Sequence, residues 1–588
     1  MNSNEIRKKF IEYFKEKNHT EIPGTPLTYK DPTLLFVNAG MVQFKPYFLG
    51  EKDPPARKIV NCQKCFRTND IEKVGSNGRS LTFFEMLGNW SIGDYWKEEA
   101  ITLAFELLIK VYKIDKRKIW ISVFKGENNI PEDKETEEIW LKVGIPQERI
   151  VKLGIEDNFW IGGPTGPCGP CSEIYYDLGP NVGCKRKECK PGCECDRFLE
   201  IWNIVFMEYF KDDKGNISLL PQKNIDTGAG LERLSMVLQN KTSVFETDLF
   251  EPIINAIRKT QCGIRNIKSE RIIADHVKAS VFLISEGVLP SNVERGYVLR
   301  RILRRAILHS KILNLPQNSL IEAAKKVIEI YQSVYPEILS KQADVLTVIE
   351  NEREKFEKTL EIGLKKLRSE LEKCKLENKK ILPGKMVFDL FQSYGFPLEI
   401  TKEIVREEGL EIDEKDFQER FKKHQEISKI GAEKKFGGLG VVRDYNMVKL
   451  HTATHLLHAA LRKILGEKVQ QMGSDITPER LRFDFSFERK LTKEEIKKVE
   501  DLVNQKIKED LEVKREEMSL EEALESGALA FFKEKYPERV TVYTIGDFSK
   551  EICAGPHVIR TSELGSFKIL KEESTGKGIR RIYAILVK

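Results

Sequence analysis

The sequence predicts an α+β protein built from several domains. Three observations support this class: short apolar runs between Gly/Pro-rich stretches in residues 20–245, helical periodicity in residues 246–430, and strand-like runs near the end of the chain. At roughly 150 residues per domain, 588 residues correspond to three or four such units. We expect domains at 1–245, 246–435 and 436–588.

Composition limits the class of protein. Hydrophobic residues make up 40% and charged residues 32%, as in globular chains, and the formal net charge is only +6. Any basic surface for nucleic acid must therefore be local. No apolar stretch is long enough for a transmembrane helix and the N-terminus lacks a secretory signal, so a cytoplasmic protein is expected. The eleven cysteines are clustered, which in a reducing compartment favours metal binding over disulfides.

The first domain is expected to begin with a helix and continue as a sheet. Residues 5–17 place Ile6, Phe10, Ile11 and Phe14 on one helical face. The runs 33–37 and 201–206 have the β-branched and aromatic content of strands.

The second and third domains are predicted from periodicity and capping signals. Residues 345–373 form an amphipathic pattern typical of a packed helix or a short coiled coil. Glycines in 431–446 indicate a linker. Thr492 and Glu495 form a capping-box pattern for a helix to about Asp510, and the runs 540–545 and 579–587 are predicted strands.

Three segments of the first domain carry groups suited to a nucleotide triphosphate, although the chain has no P-loop and no Gly-x-Gly-x-x-Gly motif. They are Cys65–Thr68 with Thr82–Trp90, Glu200–Phe206, and Asp226–Arg233. A Phe-Arg pair on one strand and Gly-x-Gly-x-x-Arg at a helix start have the form of class II aminoacyl-tRNA synthetase motifs 2 and 3. Each alone is weak evidence, because an arginine in an ion pair or a tryptophan in a core would look the same.

Together with further segments, the chain resembles the alanyl-tRNA synthetase family. The matching segments are 31–41, 82–94, 166–174, 226–233, 275–276, 290–292 and 295–301. The resemblance implies an antiparallel-sheet catalytic domain, a helical tRNA-recognition domain and an α+β zinc editing domain. It also implies alanine–tRNA ligase activity with ATP, Mg²⁺, L-alanine and tRNA(Ala), and hydrolysis of mischarged Ser- and Gly-tRNA.

The resemblance assigns roles in amino-acid activation. Arg67 would hold the α-phosphate and Arg233 the γ-phosphate, while Asp226 would bind the substrate ammonium. Trp160, Asn203 and Val205 would line the alanine pocket, Glu85, Met86 and Trp90 would lie at the adenine site, and Gly228 and Gly230 would belong to the ATP/alanine-binding residues. Arg79, also assigned to ATP/alanine binding, keeps the first position of the family's Arg-His-His-Thr run, but Ser80 and Leu81 replace the histidines, which puts any phosphate contact by them in doubt.

Residues 295–311 concentrate positive charge. Arg295, His309 and Lys311 flank an arginine ridge, defined here as Arg300, Arg301, Arg304 and Arg305, in which the two pairs lie one helical turn apart. We expect this ridge to contact RNA phosphates; a solvated charged face is the alternative. By resemblance, Asn292 reads a G·U pair in the minor groove of the acceptor stem, and Gln392 replaces the family's partner aspartate.

Two clusters have the ligands of zinc sites. His451 and His455 lie at i and i+4, and Cys553 and His557 have the same spacing about 100 residues later. Packed histidines are the alternative. The pattern resembles the family's editing domain, with Thr454 and Gln471 lining the site. Cys184, Cys189, Cys193 and Cys195, in a Cys-rich insert at 183–196, fit a structural zinc knuckle or four unligated thiols.

Two parts of the family pattern have no counterpart in this sequence. They are the β-barrel module with a Gly-Gly-Gln segment and the C-terminal coiled coil with its tRNA-binding domain. We therefore expect a short-form monomer with a compact editing module. Two other functions remain open at this point: a zinc hydrolase acting only on mischarged tRNA, and a non-catalytic RNA-binding paralogue.

Overall fold

The structure is a computed structural model that describes residues 1–29, 31, 34–163, 165–193, 195–259, 265–422, 445–530, 539–553, 555–576 and 578–587. The chain forms two compact units, Met1–Asp413 and Glu414–Lys588. The expected division at 245/246 lies inside the first unit, and the one at 435/436 lies outside the described residues. In the described ranges, no helix has the length and apolar content needed to cross a membrane.

A nine-stranded sheet forms the base of unit 1. Its strands are β1 (Thr20–Glu21), β2 (Lys58–Phe66), β3 (Phe83–Ile92), β4 (Ile119–Phe124), β5 (Ile150–Leu153), β6 (Phe159–Ile161), β7 (Gly166–Asp177), β8 (Phe198–Lys211) and β9 (Ile217–Gly230). They pair in the order β1-β2-β3-β9-β8-β7-β4-β5, with β6 against β7. The pairs β1/β2 and β4/β5 are parallel and the others antiparallel, which confirms the predicted α+β class with an antiparallel-sheet core.

Helices accompany this sheet and then dominate the rest of unit 1. They are α1 (Ser3–Glu16), α2 (Lys45–Phe48), α3 (Lys97–Glu106), α4 (Lys134–Lys142), α5 (Ile155–Asn158), α6 (Leu231–Leu238), α7 (Glu251–Lys259), α8 (Ile267–Ser285), α9 (Glu294–Ile312), α10 (Ser319–Tyr331), α11 (Pro336–Ser340), α12 (Gln342–Leu376), α13 (Gly384–Tyr394) and α14 (Leu398–Glu407). A short parallel pair, β10 (Ile381–Leu382) and β11 (Glu411–Ile412), lies among the last helices.

The predicted helices 5–17 and 345–373 are confirmed as α1 and α12. Asn2 caps α1 in a capping box with Glu5. Gly363 of α12 has no side chain where Phe396 packs, since a Cβ there would lie 2.4 Å from the Phe396 ring. The predicted strand at 33–37 is wrong for the described residues 34–37, because Val37 bonds once to Leu27 and once to Phe66 and no ladder forms.

Helix α8, which follows residue 246 in unit 1, packs directly against the sheet and α6. The ring of Phe83 in β3 stacks on that of Phe282 in α8, with centroids 4.0 Å apart. Lys278 of α8 donates to Glu232 of α6 at 2.7 Å, and both side chains are buried. One of these contacts is apolar and the other is a buried ion pair. Both tie α8 to the sheet region, and these elements lie in the same compact unit.

In its described residues, unit 2 contains two sheets, a helical stretch at 414–422 and three further helices. The four-stranded sheet runs β12 (Gln471–Ile476), β13 (Leu481–Ser486), β18 (Ile579–Val587), β17 (Ser566–Gly576), and the three-stranded sheet runs β14 (Val513–Ser519), β15 (Arg539–Ile545), β16 (Ser549–Ile552). The three further helices are α15 (Tyr445–Leu465), α16 (Lys493–Lys508) and α17 (Leu520–Glu525). The predicted capping box of Thr492 and Glu495 opens α16. Most of the predicted linker, 431–444, lies outside the described residues, and α15 already includes its last two residues.

Candidate functional sites

The three triphosphate-type segments meet on one face of the central sheet. Register places Trp90 of β3 opposite Asp226 of β9, Asp226 opposite Val205 of β8, and Val205 opposite Cys171 of β7. The next row contains Gly228, Asn203 and Glu173, and Gly230 pairs with Met86. Since residues two apart on a strand share a face, the predicted pocket residues from separate segments are brought together.

The central polar group of this face is the Asp226 carboxylate. It is only 5% exposed, and the indole Nε1 of Trp90 donates to its Oδ1 at 2.6 Å. Burial raises the pKa of Asp226 to about 7, and the Trp90 hydrogen bond opposes that rise. A buried carboxylate with one donor retains acceptor capacity, which suits a ligand ammonium.

Apolar side chains and glycines surround this carboxylate. Trp160 and Met86 pack against the cluster that contains Val205 and Trp90. A Cβ on Gly228 would lie 2.7 Å from the Met86 sulfur, and one on Gly40 would lie 2.7 Å from the Trp90 ring. A side chain at either glycine would therefore displace Met86 or Trp90, and the side chains packed around Val205 and Trp90 are apolar.

Asn203 lies at the polar end of the pocket. Its Nδ2 donates to Glu173 Oε1 at 3.2 Å, so the amide is oriented by a carboxyl group. Burial and the nearby Glu200 raise the pKa of Glu173 to about 8. Tyr175 donates to the other carboxyl oxygen of Glu173. The Asn203 carbonyl oxygen remains an acceptor for a ligand donor.

The three arginines predicted for the ATP site come from different elements. Arg67 directly follows β2, donates from Nε to Asn38 O at 3.2 Å, and its guanidinium carbon lies 4.9 Å from the Phe84 ring centroid. Arg79 Nε is 3.6 Å from Asp196 Oδ1. Arg233, in the first turn of α6, donates to Glu200 Oε2 at 2.6 Å.

The expected adenine contact of the Glu85 side chain is wrong. Glu85 and Met86 are consecutive on β3, so they face opposite sides of the sheet. The buried Glu85 carboxylate accepts from Arg7 Nε at 2.9 Å, Arg7 Nη2 at 2.8 Å and Tyr335 Oη at 2.8 Å. Burial opposes its ionisation, but the Arg7 charge keeps the pKa of Glu85 below its usual value. This carboxylate joins α1 and the chain around Tyr335 to the back of the sheet.

The arginine ridge is not the solvent-facing surface that we expected. Arg305 is 4% exposed and donates to both carboxyl oxygens of Glu403, at 2.8 and 3.1 Å. Arg304 donates to Glu352 at 2.7 Å and covers the Phe356 ring, and Arg301 forms an ion pair with Glu72. The expected phosphate contacts of Arg304 and Arg305 are therefore wrong, because α9 turns this face toward other elements of unit 1.

Asn292 and Gln392, by contrast, are both exposed. Arg300 donates to Asn292 Oδ1, and its Nε lies 3.4 Å from Glu352 Oε1. The same carboxylate oxygen accepts from Arg304, which also donates to the carbonyl of Gly395. Hydrogen bonds of Arg300 and Arg304, joined by the ion pair of Arg300 with Glu352, thus connect Asn292 with the turn that follows Gln392.

In unit 2 the four predicted ligands converge. The ligand atoms of His451, His455, Cys553 and His557 all lie within 4.8 Å of one another, and Cys553 Sγ is 3.4 Å from His451 Nε2. Tetrahedral zinc with ordinary Zn–N and Zn–S bonds separates N and S by roughly 3.5 Å. The donor set and its spacing therefore fit zinc.

Neighbouring groups hold each imidazole by its Nδ1. Pro556 O lies 3.2 Å from Nδ1 of His451, Thr452 Oγ1 lies 3.1 Å from that of His557, and Glu551 Oε2 lies 2.8 Å from that of His455. This arrangement leaves Nε2 of each ring for a metal. Burial raises the pKa of the Cys553 thiol, but the surrounding imidazoles hold it well below its ordinary value overall.

Sequence reasoning missed Glu551 and Thr452. Glu551 lies on β16 two residues before Cys553, and that i, i+2 spacing was the available signal. The two predicted lining residues have other contacts: Thr454 Oγ1 donates to Leu450 O at 2.9 Å and Gln471 Nε2 donates to Ser474 Oγ at 3.1 Å.

The Cys-rich insert forms a second four-ligand cluster in the connection between β7 and β8. The sulfurs of Cys184 and Cys193 are 3.8 Å apart and those of Cys189 and Cys195 are 3.3 Å apart, and all four lie within 4.8 Å. The cysteines of the described ranges are free thiols. Gly183 has a φ of +82°, and a Cβ there would lie 2.7 Å from the Cys195 sulfur, so the turn needs glycine.

Comparison with known proteins agrees with this geometry. The family model "tRNA synthetases class II (A)" matches residues 5–477, and "Threonyl and Alanyl tRNA synthetase second additional domain" matches residues 540–583. A chain named Alanine--tRNA ligase from Borrelia hermsii is 48% identical over 600 residues, covering 100% of both chains. The chain belongs to the alanyl-tRNA synthetase family.

Other relatives extend this result. The Alanine--tRNA ligase of Treponema pallidum is 45% identical, covering 100% of this chain and 98% of that one. One from Thermoanaerobacter sp. is 39% identical over 698 residues, covering 99% of this chain and 79% of that one. That alignment is longer than the 588 residues of this chain, so the relative has internal segments without a counterpart here.

The buried Glu85 pair yields a stability prediction. We expect Arg7→Met to lower the free energy of unfolding by about 3–5 kcal/mol, because it leaves the Glu85 carboxylate buried without its charged partner. Urea unfolding followed by circular dichroism measures this change. Lys8→Met on the exposed face of α1 is the control and is expected to change stability by less than about 0.5 kcal/mol. Equal midpoints for the two variants would contradict the assignment.

Proposed function

We propose that this chain activates L-alanine with ATP, transfers it to the 3′ end of tRNA(Ala), and hydrolyses mischarged Ser- and Gly-tRNA(Ala) at a separate zinc site. One observation carries the first part: the buried Asp226 carboxylate lies opposite Val205 and is bonded to Trp90, and Trp160 and Met86 pack against the cluster that contains those two residues. An α-amino acid with a small apolar side chain matches that pairing of an anionic group and a restricted apolar space. Full-length similarity to chains named Alanine--tRNA ligase supports the same substrate.

Activation requires charge stabilisation rather than a general acid or base. The alanine carboxylate attacks the α-phosphorus of ATP, a new P–O bond forms, and pyrophosphate leaves with the electrons of the broken P–O bond. Arg67 stabilises the α-phosphate, and Arg233 and Arg79 hold the outer phosphates. Mg²⁺ entering with ATP supplies additional positive charge on the phosphate oxygens. Asp226 and Asn203 orient the amino acid through its ammonium group.

tRNA selection is assigned to the exposed amides. Asn292 and Gln392 approach the minor groove of the acceptor stem, the readable groove of A-form RNA, and distinguish a G·U pair. Arg300 keeps Asn292 oriented by donating to its Oδ1. Gln392 accepts without charge, so it contributes a weaker contact than a carboxylate would. Arg304 and Arg305, which pair with Glu352 and Glu403, are not part of this surface; phosphate contacts of Arg300 and Arg301 stay a prediction.

Editing follows from the limits of the first pocket. A space cut for alanine admits glycine and rejects serine by only about 10²-fold. His451, His455, Cys553 and His557 would hold a zinc ion that supplies a Lewis-acid centre for ester hydrolysis. Thr452 and Glu551 fix the orientation of two of these rings.

A second zinc ion is assigned to the Cys-rich insert. Two of the sulfur pairs, at 3.8 and 3.3 Å, are near the roughly 3.8 Å S–S spacing of tetrahedral Zn(Cys)₄, and all four sulfurs lie within 4.8 Å of one another. Its role is to fold the connection between β7 and β8. The monomeric state and the cytoplasmic location expected from the sequence stay predictions.

Two assays in sequence test the proposed function. Alanine-dependent ATP–pyrophosphate exchange is expected, followed by aminoacylation of a tRNA with an acceptor-stem G·U pair but not of its G·C variant. Deacylation of Ser-tRNA without exchange would instead identify a hydrolase acting only on mischarged tRNA. RNA binding without either activity would identify a non-catalytic paralogue.

The Trp90–Asp226 hydrogen bond predicts a pH effect. We expect Trp90→Phe to raise the pKa of Asp226 further, because the ionised form loses its donor. The KM for alanine in the exchange assay then rises about tenfold at pH 7 and recovers as pH increases, since the ionised carboxylate binds the ammonium. Trp140→Phe removes a buried indole bond to Ser172 and is the control. A pH profile identical for both variants would refute the role of Asp226.

The cluster in unit 2 predicts separable activities. We expect Cys553→Ala to lower zinc content by one ion per chain, leave alanine-dependent exchange unchanged, and let Ser-tRNA(Ala) accumulate. Cys189→Ser is expected to lower zinc content by one further ion. Elemental analysis and a mischarging assay measure these changes. A Cys553→Ala variant that stays faithful would exclude editing at this cluster, and one ion in the wild type with no loss in Cys189→Ser would exclude the second site.

A further inference from the structure

The connection between β2 and β3 carries two arginines of the ATP site. We call residues 67–82 the β2–β3 loop; Arg67 begins it and Arg79 lies near its end. Its own backbone bonds are those of turns, an isolated bridge between Val74 and Asn77, and one bond from Arg67 N to Thr82 O at 2.9 Å, so no strand ladder ties the loop to the sheet. Other elements must therefore hold it in place.

Two arginines of α9 bind the first half of this loop. The buried Arg305 donates from Nη1 to the carbonyl of Ile71 at 2.8 Å and from Nη2 to that of Val74 at 3.5 Å. Arg301, one turn earlier, forms an ion pair with Glu72. Glu403 of α14 neutralises Arg305, so its charge is satisfied inside the protein. Two members of the arginine ridge, Arg301 and Arg305, thus contact the loop.

The same guanidinium reaches the far end of the loop through α8. Arg305 Nη1 lies 3.0 Å from Nε2 of His276. Because a guanidinium only donates, this Nε2 accepts, and the ring proton is on Nδ1. Nδ1 then donates to Asp275 Oδ2 at 2.9 Å. Asp275 in turn accepts the backbone N–H of Thr82 at 3.0 Å and its hydroxyl.

Every side chain in this path is buried. Thr82, Asp275 and His276 have no exposed surface, and Arg305 has almost none. Buried polar groups are retained only when they are fully hydrogen-bonded, and each donor here meets an acceptor. The path has one direction, from Arg305 to His276 to Asp275, and it ends where β3 begins.

We propose that Arg305, His276 and Asp275 are positioning residues for amino-acid activation: they clamp both ends of the β2–β3 loop so that Arg67 and Arg79 meet the phosphates of ATP. This inference rests on the proposed adenylation activity. Because α9 begins two residues after Asn292, one helix supports both the exposed recognition amide and the ATP-binding loop. None of the hydrogen bonds described for Arg305, His276 and Asp275 involves Trp90, Asp226 or Val205.

Steady-state ATP–pyrophosphate exchange tests the clamp by separating the two substrates. Arg305→Met and His276→Leu are expected to raise the KM for ATP by at least about tenfold and to lower kcat, because small misplacements of charged groups are costly. The KM for alanine is expected to stay within about twofold. His276→Gln keeps one acceptor and one donor and is expected to restore most of the ATP affinity.

The control is Arg353→Met. Arg353 is also a buried arginine, but it pairs with Glu350 and Glu357 on its own helix and not with the loop. We expect its KM for ATP to equal the wild-type value. Equal rises in both KM values for Arg305→Met would indicate general unfolding. No rise in either would show that these hydrogen bonds do not affect ATP binding. Either result would overturn the proposal.

Hydrogen–deuterium exchange gives a readout that does not depend on activity. Peptides spanning residues 67–82 are expected to exchange faster in Arg305→Met and His276→Leu than in the wild type, His276→Gln or Arg353→Met. Unchanged exchange in this loop would refute the clamp even if activity fell. If the wild type lacks alanine-dependent exchange while the loop peptides respond as expected, the proposed function fails and the structural clamp stands.

Discussion

The alternation of side chains along the central strands is the constraint on which unit 1 depends. Each residue of β3 must face either the pocket or the helices, so neighbours in sequence take on opposite tasks. Met86 and Trp90 line the ligand side with Asp226, while Glu85 holds Arg7 and Tyr335 on the other side. The pocket can therefore be small and shaped because the reverse face is anchored by buried, paired charges.

Most of the arginines of α9 pair with carboxylates inside the protein and so stabilise the fold. Glu352 binds Arg304 and lies beside Arg300, and Glu403 binds Arg305, so the most basic helix presents few unpaired guanidinium groups. What remains exposed near them are amides, Asn292 and Gln392. Amides read hydrogen-bond patterns, whereas arginines mainly bind phosphate, so this surface suits discrimination of a base pair better than general attraction to RNA.

The two metal-type clusters are supported in different ways. In unit 2, the candidate ligands come from α15 and from the chain after β16. Glu551 lies against the His455 imidazole and Thr452 against that of His557. In the Cys-rich insert, the ligands are close in sequence and glycines allow the tight turns. The first cluster is a product of the packed core of unit 2; the second organises a short connection largely by itself.

Much of this protein was determined by the sequence alone. Periodicity predicted α1 and α12, the pair Thr492 and Glu495 predicted the start of α16, and ligand spacing predicted both four-residue clusters. These signals are local, since a helix face, a cap or a pair of chelating side chains depends on residues within one or two turns.

Only the tertiary structure decided which partners these side chains and backbone groups contact. The sequence could not show that Val37 would bond to Leu27 and Phe66 in two separate segments. Nor could it show that Arg304 and Arg305 would pair with Glu352 and Glu403 inside the protein. A charged residue has the same local pattern whether its partner is solvent, RNA or a carboxylate distant in the chain. Only packing between distant helices decides which of these it meets, because desolvation and pairing depend on the whole environment.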